Sequence, residues 1–333
     1  MRRVLVPLDL PPVLRVSARP DAEVHTLGGE TMGTTWSVKL VGPAGRPLQP
    51  VRDAIERVLA AIVAQMSTWA AESDISRFNR ASPGTWRDLP AAFHEVLQYA
   101  LTVASDTGGC YDPTVGALVD LWGFGPAGRR SVIPDDVSIA AARGDWRRVE
   151  LASGCRALQP GGVRLDLSSV AKGYAVDRVT DELARLGFSD HLVEIGGELR
   201  GSGTKPDGAP WWVALERPDM QDSRAVPQTV VALHGLAVAT SGDAQRHFEH
   251  GGHRLSHTID PRSGYPASGR VASVTVLHRR CMNADALATA LTVLGADDGF
   301  DFALRRGLAA RFVLRGAGGL EERVTPALTA MLD

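Results

Sequence analysis

Cysteine is scarce in this chain. Cys110, Cys155 and Cys281 are odd in number, far apart and without a C-x-x-C pair. Neither a disulfide framework nor a thiolate zinc site is encoded, and a reducing compartment is the simplest setting. No charge of one sign dominates: 36 Lys+Arg stand against 38 Asp+Glu. Non-specific nucleic-acid binding needs basic residues to displace phosphate counterions, so no nucleic-acid partner is expected. No window approaches the ~18 consecutive apolar residues of a spanning helix. At the N-terminus, Asp9 and three prolines interrupt the apolar stretch from Val4 to Leu14, and no small-residue cleavage site follows. The first cysteine is residue 110, so no lipid-anchoring cysteine precedes it and no membrane anchor is expected. A cytoplasmic location is the expectation, with export the alternative if the N-terminus has been trimmed. Also missing are a G-x-G-x-x-G after a strand and a G-x-x-x-x-G-K-[ST], the two common nucleotide-binding loops.

What is present is globular. The 333 residues are 44% apolar and 22% charged, which excludes disorder, collagen and coiled coil. The 35 glycines and 20 prolines suit a chain with many turns and close backbone approaches. Residues 1–24 read as an extended lead-in and 25–333 as one domain. Apolar residues recur at helical spacing over 50–66 and 90–105, and shorter helices are expected at 114–122 and 135–143. Short β-type runs follow at 35–41, 146–151, 163–167, 191–195, 211–216, 228–233 and 270–277, with helices near 168–186, 241–249 and 283–294. Strands and helices do not alternate strictly, so the expected class is α+β with mixed, mostly antiparallel sheets.

Three segments could carry chemistry. In Arg164–Val176 a strand is expected to end at Asp166–Leu167, and Ser168–Ser169 to open a helix. Serines there cap orphan N–H groups, and the same groups can hold a phosphate. Lys172 falls in the first turn, where a cation opposes the helix dipole unless an anion is bound. On the motif alone, a capped helix with a solvent-facing lysine is the simpler reading of the pattern. In Cys281–Leu294, Asn283 is a candidate N-cap, and Asp285 and Thr289 share a face at i, i+4. Their oxygens suit a hard cation such as Mg²⁺, although simple helix-terminal chemistry also accounts for them. In Ala239–Pro266, Ser241–Gly242–Asp243 reads as a strand-to-helix turn. His247, His250, His253 and His257 invite a zinc reading, which Gly251–Gly252 undermines by breaking any helix that would align them. His257 adjoins the turn-rich Ile259–Gly264 run, where a loop can present a base to an attacking hydroxyl. Elsewhere Trp69 offers a flat ring for stacking or for a core. Asp112–Pro113 looks like an N-cap with proline in the first turn.

Taken together, eight ordered segments carry a family resemblance. They are Glu30–Val38, Met66–Asn79, Tyr111–Gly125, Leu165–Val179, Val193–Arg200, Ala239–Asp243, Ser256–Pro266 and Met282–Leu294. In that order they resemble the ApbE family of FAD:protein FMN transferases, over roughly residues 25–315. The resemblance implies Mg²⁺-dependent cleavage of the FAD pyrophosphate. FMN passes to a threonine or serine hydroxyl of an acceptor flavodomain protein, and AMP leaves. It places the metal on Asp285, Thr289 and the backbone carbonyl of Ala171, and makes His257 the candidate base. Met32, Trp69, Cys110, Tyr111, Asp112, Asp166, Ser169, Lys172 and Ile259 match flavin-nucleotide positions, and Asp243 a supporting one. Trp69 stands where the family commonly has tyrosine, and Cys110 where a small residue is usual. Two rivals share the same groups: an FAD pyrophosphatase, in which water replaces the acceptor, and a flavin-binding protein without catalysis.

Overall fold

The computed structural model describes residues 2–7, 21–128, 132–217, 226–242, 247–250, 253–267 and 269–332. The first half runs β1 (Arg2–Leu5), β2 (Ala22–Thr31), β3 (Thr34–Pro43), α1 (Gln49–Met66), α2 (Asp74–Asn79), β4 (Thr85–Asp88), α3 (Ala91–Asp106), α4 (Gly116–Leu121) and α5 (Asp136–Ala142). The middle continues with β5 (Leu151–Ala152), β6 (Arg156–Gln159), α6 (Ala171–Arg185), β7 (His191–Ile195), β8 (Glu198–Ser202), β9 (Trp211–Ala214) and β10 (Gln228–Leu233). The last part holds β11 (Leu236–Gly242), β12 (His247–His250), β13 (His253–Ser256), β14 (Val271–His278), α7 (Cys281–Leu294), α8 (Asp298–Arg305), β15 (Ala309–Gly316), β16 (Gly319–Val324) and α9 (Pro326–Thr329).

The main sheet has the order β16-β15-β14-β11-β8-β7-β3-β2, and every neighbouring pair in it is antiparallel. Both of its faces are covered. On one, Trp36, Val38 and Leu40 pack against the apolar stripes of α1, α3 and α6, and Val276 against α7. On the other, Val41, Val238 and Leu277 meet Leu5, Trp211 and Val231 of a smaller sheet ordered β1-β10-β9. Double coverage explains why β14 is buried continuously from Val271 to Leu277 rather than on alternate residues. Helix α7, in which ten of fourteen side chains are buried, is interior on most sides. The expected α+β class with mostly antiparallel sheets is the one observed.

Several local expectations are corrected. Residues 146–151 form a 3-10 turn at Trp146–Arg148, with Asp145 accepting from the Arg147 N–H, before the short β5. Val163–Leu167 buries Val163, Leu165 and Leu167 as the inner face of a strand would, with Asp166 buried as well, yet among the described residues it makes only an isolated bridge, Arg164 to Val115. Its backbone groups are taken instead by the Gly116 N–H, the Pro113 carbonyl and the Asn79 side chain. No helix occupies 241–249 among the described residues, because β11 runs to Gly242 and β12 begins at His247. Asp243 lies outside the described residues. In the expected lead-in, Arg2–Leu5 pairs in parallel with β10, and β2 starts at Ala22.

One buried titratable group of the fold has a consequence for stability. His191, at the start of β7, hydrogen-bonds through Nδ1 to the Phe188 carbonyl at 2.9 Å, while Nε2 is buried without a partner. Burial holds its pKa below the ordinary histidine value. The unfolded chain therefore binds this proton more readily, so the stabilising contribution is complete above the unfolded pKa near 6.5 and declines as pH falls below it. Urea melts at pH 7 and pH 5 should show His191→Asn losing less stability on acidification than the parent, by at most about 1.4 kcal/mol per pH unit for one proton. Equal losses would remove His191 as a cause.

Candidate active site

The site is assembled where α6 and α7 cross. Helix α6 starts at Ala171, three residues after Ser168 and without a side-chain cap. The serine pair thus stands in the turn before the helix rather than at its N-cap. The carboxylate of Asp166 accepts from the Ser168 N–H at 2.8 Å, and Ser169 Oγ donates to the Tyr111 hydroxyl at 3.0 Å. Asn79, at the end of α2, is tied to this turn by a reciprocal pair. Its Nδ2 donates to the Leu165 carbonyl at 2.9 Å and its Oδ1 accepts the Leu165 N–H at 2.7 Å. Three segments far apart in sequence are thereby fastened together.

Helix α7 starts at Cys281, two residues before the expected Asn283 cap. Asp285 reaches α6 from its second turn, and its Oδ2 accepts the Gly173 N–H at 2.9 Å. Glycine is required at 173 for space: a Cβ there would stand 2.4 Å from the Cys281 carbonyl oxygen and 2.8 Å from the Asp285 Cβ. The close approach puts Asp285 within two residues of Ala171, the first residue of α6. Thr289, one turn beyond Asp285 on the same face, is half-buried.

Lys172 Nζ donates to Glu198 Oε1 at 2.6 Å; Glu198 begins β8 and is 3% exposed, and its Oε2 is buried without a partner. Asp285, 6% exposed, lies close enough to act on Glu198 and to be acted on by Lys172. Burial pushes both carboxyl pKa values up, and the Lys172 ammonium opposes this at each. Among the described residues this ammonium lies beside two desolvated carboxyl groups, and a buried carboxylate favours a cation close by. The donors here, a carboxylate, a hydroxyl and a backbone carbonyl, are hard oxygens suited to Mg²⁺, which takes few protein ligands and keeps phosphate and water for the rest. No group of three or more His, Cys, Asp and Glu side chains gathers among the described residues as a zinc-type centre would. Tyr111 is held far above its ordinary pKa by burial, with Asp285 and Asp166 adding to the effect. It serves as a neutral hydrogen-bonding ring.

The His257 segment is delivered separately. Trp122 Nε1 donates to the Gly264 carbonyl at 2.8 Å, and its ring faces Tyr265 at 5.8 Å. Phe124 meets the half-buried His257 ring edge-on at 6.3 Å. Ile259 packs with Leu118, Trp122 and Ile139 in a small core. Ala267 packs with Cys110 and Val293 near the end of α7, which joins this segment to the Cys110 loop. Burial raises the Cys110 thiol pKa, which disfavours the reactive thiolate. Asp112 is not a helix cap: its Oδ1 closes a turn onto the Thr114 N–H and Oγ1 at 2.7 and 2.6 Å, and α4 begins later.

Met32 and Trp69 are not joined to these groups by any hydrogen bond or ring contact among the described residues. Met32 is at the tip of the β2–β3 hairpin with φ 51°, followed by Gly33 at φ 71°, two positive values in a two-residue turn. Trp69 is 68% exposed in the loop after α1, so its ring is not a core tryptophan. Three residues that the motif reading passed over prove central: Asn79 for the loop, Glu198 for the charge balance, and Asp177. Glu198 had a signal, a carboxylate directly after the Gly196–Gly197 turn in Val193–Arg200. Asp177 had none, since the N–H groups it accepts from are 104 and 105 residues away.

Known proteins resemble this chain in sequence and in fold. The chain is 36% identical over 329 residues to an FAD:protein FMN transferase of Haemophilus influenzae, covering 95% of this chain and 94% of that protein. It is 36% identical over 336 residues to an FAD:protein FMN transferase of Vibrio cholerae, covering 100% of each. The flavinyl transferase ApbE of Pseudomonas stutzeri, solved in an apo form, superposes with a TM-score of 0.86 at 38% identity, over 93% of this chain and 97% of that one. The model of the ApbE family matches residues 32–312, and with these likenesses it shows that the chain belongs to the ApbE family.

Proposed function

We infer that this protein is an FAD:protein FMN transferase, and that its acceptor is a flavoprotein presenting a threonine or serine hydroxyl. The oxygen of that hydroxyl attacks the FMN phosphorus of FAD. The new O–P bond forms as the P–O bond to the AMP half breaks; FMN remains as a phosphoester and AMP departs. The hydroxyl proton goes to His257, whose loop position suits a base working near neutral pH. Lys172 and the turn at Ser168–Ser169 face the diphosphate and orient it, and the exposed Trp69 ring stacks on a flat ring of the dinucleotide. Asp285, Thr289 and the Ala171 carbonyl would hold Mg²⁺, which when bound supplies charge neutralisation of the two phosphates.

The observation that supports this reading most is the α6–α7 crossing, where Asp285 is bonded to Gly173 two residues from Ala171. Incubation with FAD, Mg²⁺ and a flavodomain acceptor should give a fluorescent protein band that survives denaturation, together with one AMP per flavin attached. AMP release at the same rate without acceptor would favour the pyrophosphatase instead. FAD retained stoichiometrically with neither product would leave only a binding protein.

A further inference from the structure

We propose that Asp177 is a positioning residue that sets the spacing of the cation ligands by clamping α7 onto α6; the proposal rests on the placement of the cation at Asp285 and Ala171. Asp177 is 1% exposed and projects from the middle of α6. Its Oδ1 accepts the Cys281 N–H at 3.0 Å and Arg200 Nη1 at 2.7 Å, and its Oδ2 accepts the Met282 N–H at 3.0 Å. Arg280 Nε adds an ion pair at 3.6 Å.

The first turn of any helix leaves N–H groups without intrahelical partners. Helix α7 receives no side-chain cap from its own N-cap residue, Arg280. Asp177 therefore supplies the cap from a different helix, and a carboxylate at that end also complements the helix dipole. The placement is periodic. Gly173 and Asp177 are i, i+4 on α6, and Cys281 and Asp285 are i, i+4 on α7, so each pair shares a face. Asp177 bonds to Cys281 and Gly173 bonds to Asp285, two rungs of a seam between helices running in opposite directions and about 6 Å apart along each axis. The second rung carries the cation carboxylate; the first determines where that carboxylate stands. Strand β8 braces the same helix with two alternate residues, Glu198 to Lys172 and Arg200 to Asp177. A carboxylate spent on four partners at this depth, next to a glycine that admits close approach, is a device for fixing distance.

The test is direct binding of Mn²⁺, followed by electron paramagnetic resonance in the presence of ADP. It is applied to the full chain and to Asp177→Asn, Arg200→Met and Thr325→Val. Thr325 donates to the Leu308 carbonyl and accepts the Ala310 N–H, away from the α6–α7 seam, so its variant reports generic loss of stability. Outer residues that orient metal ligands typically change affinity about 10–100-fold. Asp177→Asn should weaken Mn²⁺ binding by at least about 10-fold, and Arg200→Met, which keeps the N–H cap, by a smaller factor in the same direction. Thr325→Val should leave binding unchanged at a comparable fall in Tm. Unchanged Mn²⁺ affinity in a folded Asp177→Asn or Arg200→Met protein overturns the clamp while leaving the cation site standing. An unmodified chain that binds no Mn²⁺ overturns the cation placement itself.

Discussion

Asp285→Asn should lower FMN transfer by about three orders of magnitude or more, while the metal-free protein melts no earlier than the parent. A Lewis-acid cation contributes several kcal/mol of charge stabilisation, and each 1.36 kcal/mol is about tenfold in rate. Asparagine keeps an oxygen for the Gly173 N–H, so the seam between α6 and α7 retains its bond. It removes, however, a carboxyl whose pKa burial pushes up, and with it the repulsion felt by Glu198. Loss of activity without loss of stability is the mark of a group held for function against the preference of the fold. Thermal scans with and without Mg²⁺ supply the second readout: the parent should be stabilised by the ion and the variant should not. Transfer within tenfold of the parent, or equal Mg²⁺ stabilisation, would remove Asp285 from the cation site.

His257→Gln should reduce transfer by roughly 10²–10⁴-fold, the range for loss of a general base, and leave FAD affinity within a few-fold. The ring meets Phe124 edge-on, on a loop that Trp122 fastens through the Gly264 carbonyl, and among the described residues no hydrogen bond links it to Asp285, Thr289 or Lys172. Its removal should therefore disturb neither the diphosphate nor the cation. Fluorescence titration with FAD separates binding from turnover. A variant that transfers at the parent rate rules out His257 as the base; one that no longer binds FAD shows that the ring holds the substrate instead.

The largest helices were legible from spacing. Val51, Ile55, Leu59, Ile62 and Met66 bury the stripe that their period announces, and Phe93, Val96, Leu97 and Ala100 do the same on α3. The reading failed where a local pattern had two physical solutions. Val163, Leu165 and Leu167 are buried like the inner face of a strand, but both backbone groups of Leu165 are taken by the side chain of Asn79. Burial pattern reports which way side chains point, not who takes the N–H groups. The start of α7 was misplaced for a related reason: the capping oxygen comes from Asp177 on another helix, and no nearby residue reveals it. Trp69 shows the opposite difficulty, since a tryptophan ring has the same local pattern whether it is buried or, as here, exposed.

By itself the sequence determined the α+β class, the order of the motifs and the family likeness they carry, because side-chain chemistry and short-range periodicity are local properties. Tertiary structure alone decided that Gly173 must admit Cys281 and Asp285, that Asp177 caps a helix not its own, and that Lys172 lies beside Glu198 and Asp285. Each of those depends on distances between segments tens of residues or more apart. Only packing sets such distances, and the electrostatics of a buried site change steeply with them.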